Sequence, residues 1–320
     1  MDTALDRVRN RSREVSSRRF VQLAAASLFV LYVVVTSGAL VRLTASGLGC
    51  DNWPLCGDKP YPERGGHAAI EFGNRMVALV GILLTLVTWL AARRVRSLPP
   101  RVRLLALLTF VGTVAQIPLG GITVILELHP VAVMSHFLLA LLVLAAAVVV
   151  AVEAWSADRG VAPAAGSGAV RVAAAVGVAA CAVLVVTGSV ATAAGPHSGG
   201  EDIRRLGLAI TDTVYVHVRA TAVYGIVLLL VGGYLVRLRR DYPGIVKAAL
   251  ALLFVLLAQM VLGEVQYRNA LPWGLVLTHV ALAATIWILT VFVAYALWRP
   301  PAPLAGRPPD GVGGAGGAPA

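Results

Sequence analysis

Apolar positions along this chain fall into eight long runs, at about 20–41, 71–92, 104–126, 130–152, 170–193, 212–236, 246–266 and 273–298, separated by short polar stretches. Each run is close to the roughly 20 residues that a helix rising 1.5 Å per residue needs to cross a hydrocarbon layer of about 30 Å. Each is also almost free of charge. The pattern predicts eight transmembrane helices. The first run is too long, and lies too deep in a charged N-terminal segment, for a cleaved leader; Thr44-Ala45-Ser46 offers only a weak small-residue cleavage site.

Composition agrees, with 58% hydrophobic and only 13% charged residues among 320. The net charge of +11 raises nucleic acid as a partner, and its distribution removes that reading. On the eight-span topology 19 of the 27 Lys and Arg lie on one side, including six before the first span and Arg93, Arg94, Arg96, Arg101 and Arg103. By the positive-inside rule both termini are then cytoplasmic, in a multi-pass protein of the cell membrane. The expected organisation is a basic cytoplasmic N-terminus (1–19), a first four-helix half (20–152), a cytoplasmic linker (153–169), a second four-helix half (170–298) and a Pro-, Gly- and Ala-rich disordered cytoplasmic tail (299–320).

The halves repeat one another. Ala115-Gln116, Leu119-Gly120 and His136 recur 143 positions later as Ala258-Gln259, Leu262-Gly263 and His279. The same offset carries Asn74 to His217, so Asn74 with His136 and His217 with His279 are corresponding pairs, each 62 residues apart. Four spans per half is an even number, so both halves share one orientation. The fold class expected is an all-α integral membrane protein, built as two tandem four-helix bundles related by a pseudo-twofold axis along the membrane normal. All four residues fall one to two turns inside the outer ends of their helices, in the outer leaflet.

Two histidines facing across a bundle suit a haem iron, which takes axial donors above and below its ring. His217 and His279 meet that demand; the plainer alternative is a buried His bonded to a neighbouring carbonyl. In the first half His136 stands opposite Asn74, an amide that ligates iron poorly. His67 and Glu71 lie nearby at i and i+4, and share a helix face if the second helix begins that early. Glu71 serves either in proton transfer or as an interfacial carboxylate paired with Arg75. Arg75 and Arg219 either meet haem propionates or snorkel to the outer headgroups. His129 and His197 fall in outer connections and read as structural. Cys50 and Cys56 lie in the outer loop, on the oxidising side, and are expected to form a disulfide, structural by default and redox-active in the sharper reading. Cys181 is a small apolar residue of the fifth span.

Taken in order, these features resemble the bacterial haem A synthase family in its actinobacterial form. The matching stretches are Ser46-Gly47-Leu48-Gly49-Cys50 with Trp53-Pro54-Leu55-Cys56, Ile70-Glu71-Phe72-Gly73-Asn74-Arg75, Val186-Thr187-Gly188 with Gly195-Pro196-His197-Ser198-Gly199, and Leu262-Gly263 through Pro272-Trp273 to His279. The resemblance spans roughly residues 20–298. It implies oxidation of the methyl group at ring position eight of haem O, in two hydroxylations and through a geminal diol, to the formyl group of haem A for terminal oxidases. It further implies a haem b held by His217 and His279, and a substrate site with His136 and Glu71. Many members carry His where this chain has Asn74. Here either His136 alone holds haem O, or His67 supplies a second ligand. A second cysteine pair found in some members is absent, so any redox role for cysteine rests on Cys50 and Cys56.

The expected mechanism removes electrons from the substrate toward the second haem before water attacks the oxidised methyl carbon, with Glu71 assisting. The electron acceptor is unnamed by the sequence, a quinone being one option, and haem O delivery by the enzyme that farnesylates haem is a family-level expectation. No separate oxygenase triad of two His and a carboxylate stands out. The rival readings are a dihaem b-type, quinol-linked electron-transfer protein and a transporter built on the same repeat.

Overall fold

A computed structural model describes residues 14–50, 53–63, 65–200 and 203–306. Its architecture is all-helical: α1 (Ser17–Leu43), α2 (Gly66–Ala92), α3 (Pro100–Ile125), α4 (Pro130–Arg159), α5 (Gly168–Ala194), α6 (Ile210–Leu235), α7 (Pro243–Arg268) and α8 (Trp273–Trp298). All eight are long and apolar enough to cross a membrane. Local chemistry sets several of their ends. Ser16 caps α1 through a hydrogen bond from the Arg19 N–H. Proline opens α3, α4 and α7, where a missing N–H costs nothing, and Gly160 ends α4 with a positive φ of 88°.

Within the first half α1 packs on α2 and α4, and α3 on α2 and α4; within the second, α5 packs on α6 and α8, and α7 on α6 and α8. Across the halves α4 meets α8, α1 meets α8, and α4 meets α5. Exchanging α1–α4 with α5–α8 maps this set of neighbours onto itself. The seam is built on α4 and α8, half of whose most apolar windows is buried, against 17% for α6. Leu141, Leu144 and Val148 of α4 join Trp287 and Val291 of α8 there, with Leu31 of α1 and Leu184 of α5. Outward faces are left apolar and open, with Phe29, Leu230 and Phe254 at 65–73% exposure, as lipid contact requires.

Polar groups close the seam at three levels. In the middle, the Trp287 indole N–H donates to the Leu141 carbonyl at 2.8 Å. At the loop end, Arg42 of α1 donates to the carbonyls of His197 (2.7 Å) and Thr192 (2.9 Å), and His197 Nε2 donates to that of Leu271 at 2.7 Å. At the end carrying both termini, Glu153 is 2% exposed. Its Oε1 accepts from the Tyr295 hydroxyl at 2.5 Å and pairs with Arg299 at 2.8 Å and Arg101 at 3.3 Å.

That cluster corrects two expected boundaries. The segment 153–169 does not begin as a linker, because α4 runs on to Arg159; a carboxylate that reads as an end-of-span signal is here a buried partner of α8. Nor is 299–306 a disordered tail. Pro300 and Pro301 are fully buried, Ala162 N–H donates to the Pro300 carbonyl at 2.9 Å, and Gly306 N–H donates to that of Asp241 at 2.7 Å. The remainder of the expected tail, 307–320, and most of the basic N-terminus lie outside the described residues.

Removing one partner of a buried ion cluster strands the others in a poorly solvating interior. Glu153→Ala is expected to lower unfolding stability in detergent by about 3 kcal/mol. Arg101→Ala, whose guanidinium is more than half exposed, is expected to cost under about 1 kcal/mol. Denaturant titration followed by tryptophan fluorescence measures both, and equal effects would contradict the cluster's role.

Candidate functional site

Asn74, His136, His217 and His279 sit at one level of the bundle, each seven to nine residues into a helix that starts at the loop end. Each faces a glycine on its half's other pair of helices. A Cβ on Gly188 would lie 2.9 Å from His217 Cε1, one on Gly263 would lie 3.2 Å from His279 Cε1, and one on Gly120 would lie 3.4 Å from His136 Cε1; on Gly38 it would lie 3.9 Å from Asn74 Oδ1. The glycines on α1, α3, α5 and α7 thus make the room in which the even-numbered helices place their ligating or polar side chains.

In the second half the imidazoles of His217 and His279 face each other with ring centres 6.5 Å apart and planes at 66°. His217 Nδ1 shares a hydrogen bond of 3.2 Å with the Thr187 hydroxyl, which frees its Nε2 for another partner. Gln259 donates to the His279 backbone carbonyl at 2.9 Å and steadies that turn of α8, while His279 Nδ1 is buried without a partner among the described residues. Two His–metal bonds of about 2 Å, with about 1 Å from each ring centre to its nitrogen, total about 6 Å, so the gap fits one metal-centred ring. Hydroxyl and amide partners that orient a ligating imidazole are the second shell such a site needs.

The first half is built differently. His136 Nδ1 is buried and has no partner among the described residues. Opposite it the Asn74 carbonyl oxygen is committed, accepting from the Ser37 hydroxyl at 2.7 Å. Helix α2 does begin early enough to hold His67 one turn before Glu71. His67 is exposed and its Nδ1 bonds the Ser46 hydroxyl at 2.9 Å, so it lies seven residues, or about 10 Å of helix rise, outward from Asn74.

Glu71 is 5% exposed. Its Oε2 accepts from the Cys50 N–H at 2.9 Å, and its Oε1 pairs with Arg75 at 2.5 Å. Arg75 in turn donates to the carbonyls of Pro54 and Leu55 at 3.0 and 3.1 Å. The carboxylate is therefore paired as the spacing allowed, yet buried rather than solvated, beneath a loop that the Cys50–Cys56 disulfide closes. That loop lays Trp53 on α3: a Cβ on Gly121 would come within 2.8 Å of the indole. Gly121 adjoins Gly120, so the indole sits one residue along α3 from the glycine that faces His136. Arg219 instead turns outward, exposed, and bonds the Tyr215 hydroxyl. Among the described residues no cluster of three or more His, Cys, Asp or Glu comes together as a metal site.

Ser37, Thr187 and Trp53 carry no signal by themselves. Thr187 and Trp53 belong to motif stretches, and Ser37 becomes visible only when Ser37-Gly38 on α1 is set beside Thr187-Gly188 on α5.

The model of the COX15-CtaA family, a cytochrome oxidase assembly protein, matches residues 21–291, which include every residue of this constellation. The chain belongs to that family. The Heme A synthase of Bacillus pumilus (strain SAFR-032) is 29% identical over 139 residues, covering 43% of this chain and 45% of the relative. Those of Bacillus mycoides (strain KBAB4) and Bacillus cereus (strain AH187) are each 32% identical over 149 residues, covering 44% of this chain and 47% of theirs. The matches thus span about half the length of these curated relatives.

The glycine contacts grade the tolerance of the family site to a methyl group. Gly188→Ala drives Cβ into His217 and is expected to shift the low-spin absorption and electron paramagnetic resonance signals of bound haem. Gly120→Ala, at ordinary contact distance, leaves them unchanged. Spectra of the two purified variants check the order, and a silent Gly188→Ala would refute it.

Proposed function

We propose that the protein is a haem A synthase, oxidising the C8 methyl of haem O to a formyl group, with the inequality of the two halves as the observation that carries the reading. The second half presents two facing imidazoles at 6.5 Å; the first presents His136, an amide and a buried carboxylate. A protein that only relayed electrons between two like haems would have no use for that difference. Conversion of the methyl to the aldehyde takes one water oxygen and releases four electrons and four protons, in two hydroxylations through an alcohol and a geminal diol. The acceptor we assign is a membrane quinone.

His217 and His279 would hold a haem b, which when bound would supply a one-electron relay. His136 holds the iron of the substrate, and Asn74, fixed by Ser37, leaves the opposite face without a second strong ligand. His67 anchors the outer loop through Ser46. Glu71 accepts a proton from the attacking water; its fixed donors, the Cys50 N–H and Arg75, hold the carboxylate in one orientation while that charge moves. Arg75 also tethers the disulfide loop. Trp53 seals the loop end against bulk water, which limits side reactions of the oxidised carbon. Arg219, bonded to Tyr215, belongs to the outer surface rather than to the haem pocket. The haem sites lie toward the outer leaflet of the plasma membrane, both termini are cytoplasmic, and the substrate arrives from the enzyme that makes haem O.

In cells supplied with haem O, Glu71→Gln is expected to reduce formation of haem A by about 100-fold or more, with the bound-haem spectrum of the second half intact. Acid extraction of the purified protein, with chromatography and mass analysis of the pigments, measures this. Undiminished haem A from the variant would remove Glu71 from the chemistry. Unmodified haem b as the sole pigment of the wild-type protein would overturn the synthase reading in favour of electron transfer.

A further inference from the structure

The duplicated glutamines do not do the same thing. On α7 Gln259 spends its N–H group on the His279 carbonyl. On α3 Gln116 makes no such bond to His136: both its Oε1 and its Nε2 are buried and have no partner among the described residues. An amide with donor and acceptor both unmet is costly in a protein interior, and more so in a membrane span where water does not compensate. The local sequence accounts for the divergence. Pro118 stands where the second half has Val261. It removes the helical N–H that would reach the Val114 carbonyl and crowds that carbonyl with its ring, so the turn carrying Gln116 is not a copy of the turn carrying Gln259.

Gln116 lies four residues before Gly120, on the same face of α3 and about 6 Å nearer the middle of the bundle. Gly120 is the residue against which the His136 ring is seated. The free amide is thus one turn below the substrate ligand, where an iron-bound porphyrin would present its inward edge. We propose that Gln116 is a specificity residue of the first half, hydrogen-bonding a hydroxyl or carbonyl oxygen on the inward edge of the substrate porphyrin. The inference rests on the reading of this half as the haem O site. Its partner in the second half is a positioning residue for His279, so duplication has yielded one glutamine that reads a ligand and one that holds a helix.

Two oxygens have the required chemistry: the hydroxyl already present on the farnesyl-bearing side chain of haem O, and the oxygen placed on the methyl carbon. Gln116→Met keeps the volume and deletes the hydrogen bond; Gln116→Glu keeps the shape and a polar terminus, and serves where the Met variant fails to fold. Each full-length variant, purified from cells containing both haem O and haem b, is analysed for the ratio of the two pigments in excess of the second-half haem. Resonance Raman spectra of bound product report the formyl C=O stretch. A drop of about tenfold in preference for haem O in Gln116→Met, the weight of one buried hydrogen bond, assigns the amide to the side-chain hydroxyl. An upshifted formyl stretch assigns it to the new oxygen. Either result, with partial recovery in Gln116→Glu, supports the proposal. Unaltered preference together with an unaltered stretch overturns it. A wild-type protein that prefers haem O but forms no formyl product would defeat the synthase reading while leaving the first measurement of Gln116 valid.

Discussion

Polar groups carried into an apolar layer must find partners inside the chain, and this constraint organises the whole molecule. Helices satisfy the backbone, which leaves side chains to be settled one at a time. The seam between the halves is apolar over most of its length, and polar groups appear where each has an identifiable acceptor: Trp287 on the Leu141 carbonyl, Arg42 on two carbonyls of the opposite half, and Glu153 among Tyr295, Arg299 and Arg101. The exceptions then stand out. Among the described residues, the buried atoms left without a partner include His136 Nδ1, His279 Nδ1 and both amide atoms of Gln116, which lie at the level of the facing histidines or one turn from it.

Glycine is the other half of that arrangement. Imidazoles reach inward between helices without pushing their neighbours apart where the facing helix lacks a Cβ. Gly188, Gly120 and Gly263 seat imidazole edges at graded distances, and Gly38 stands opposite Asn74. The same steric device serves both halves, although the chemistry has diverged: a hydroxyl from the first helix of each half holds His217 in one case and Asn74 in the other.

The disulfide loop links the outer surface to the chemistry of the first half. Closure between Cys50 and Cys56 positions the Cys50 N–H over Glu71, the carbonyls of Pro54 and Leu55 over Arg75, and Trp53 over Gly121. All of these contacts depend on the path of one short segment, which the bridge closes. The Glu71 carboxylate, paired with Arg75, is thereby roofed and oriented.

By itself the sequence determined the membrane class, the number of spans, the internal repeat and the residues that stand at its corresponding positions, because hydropathy over about 20 residues and a fixed offset are both local or linear properties. It marked Asn74 as the break in that repeat, and Glu71 with Arg75 as a pair. Only the tertiary structure decided that Glu153 is a buried joint of α4 and α8 rather than the end of a span, that Pro300 and Pro301 belong to the folded body, that Arg219 turns away from His217, and that Gln116 and Gln259 differ in what they bond. Each of these depends on which side chain from a distant segment arrives at the same point. No period or motif within one helix carries that information; the packing of one helix against another does.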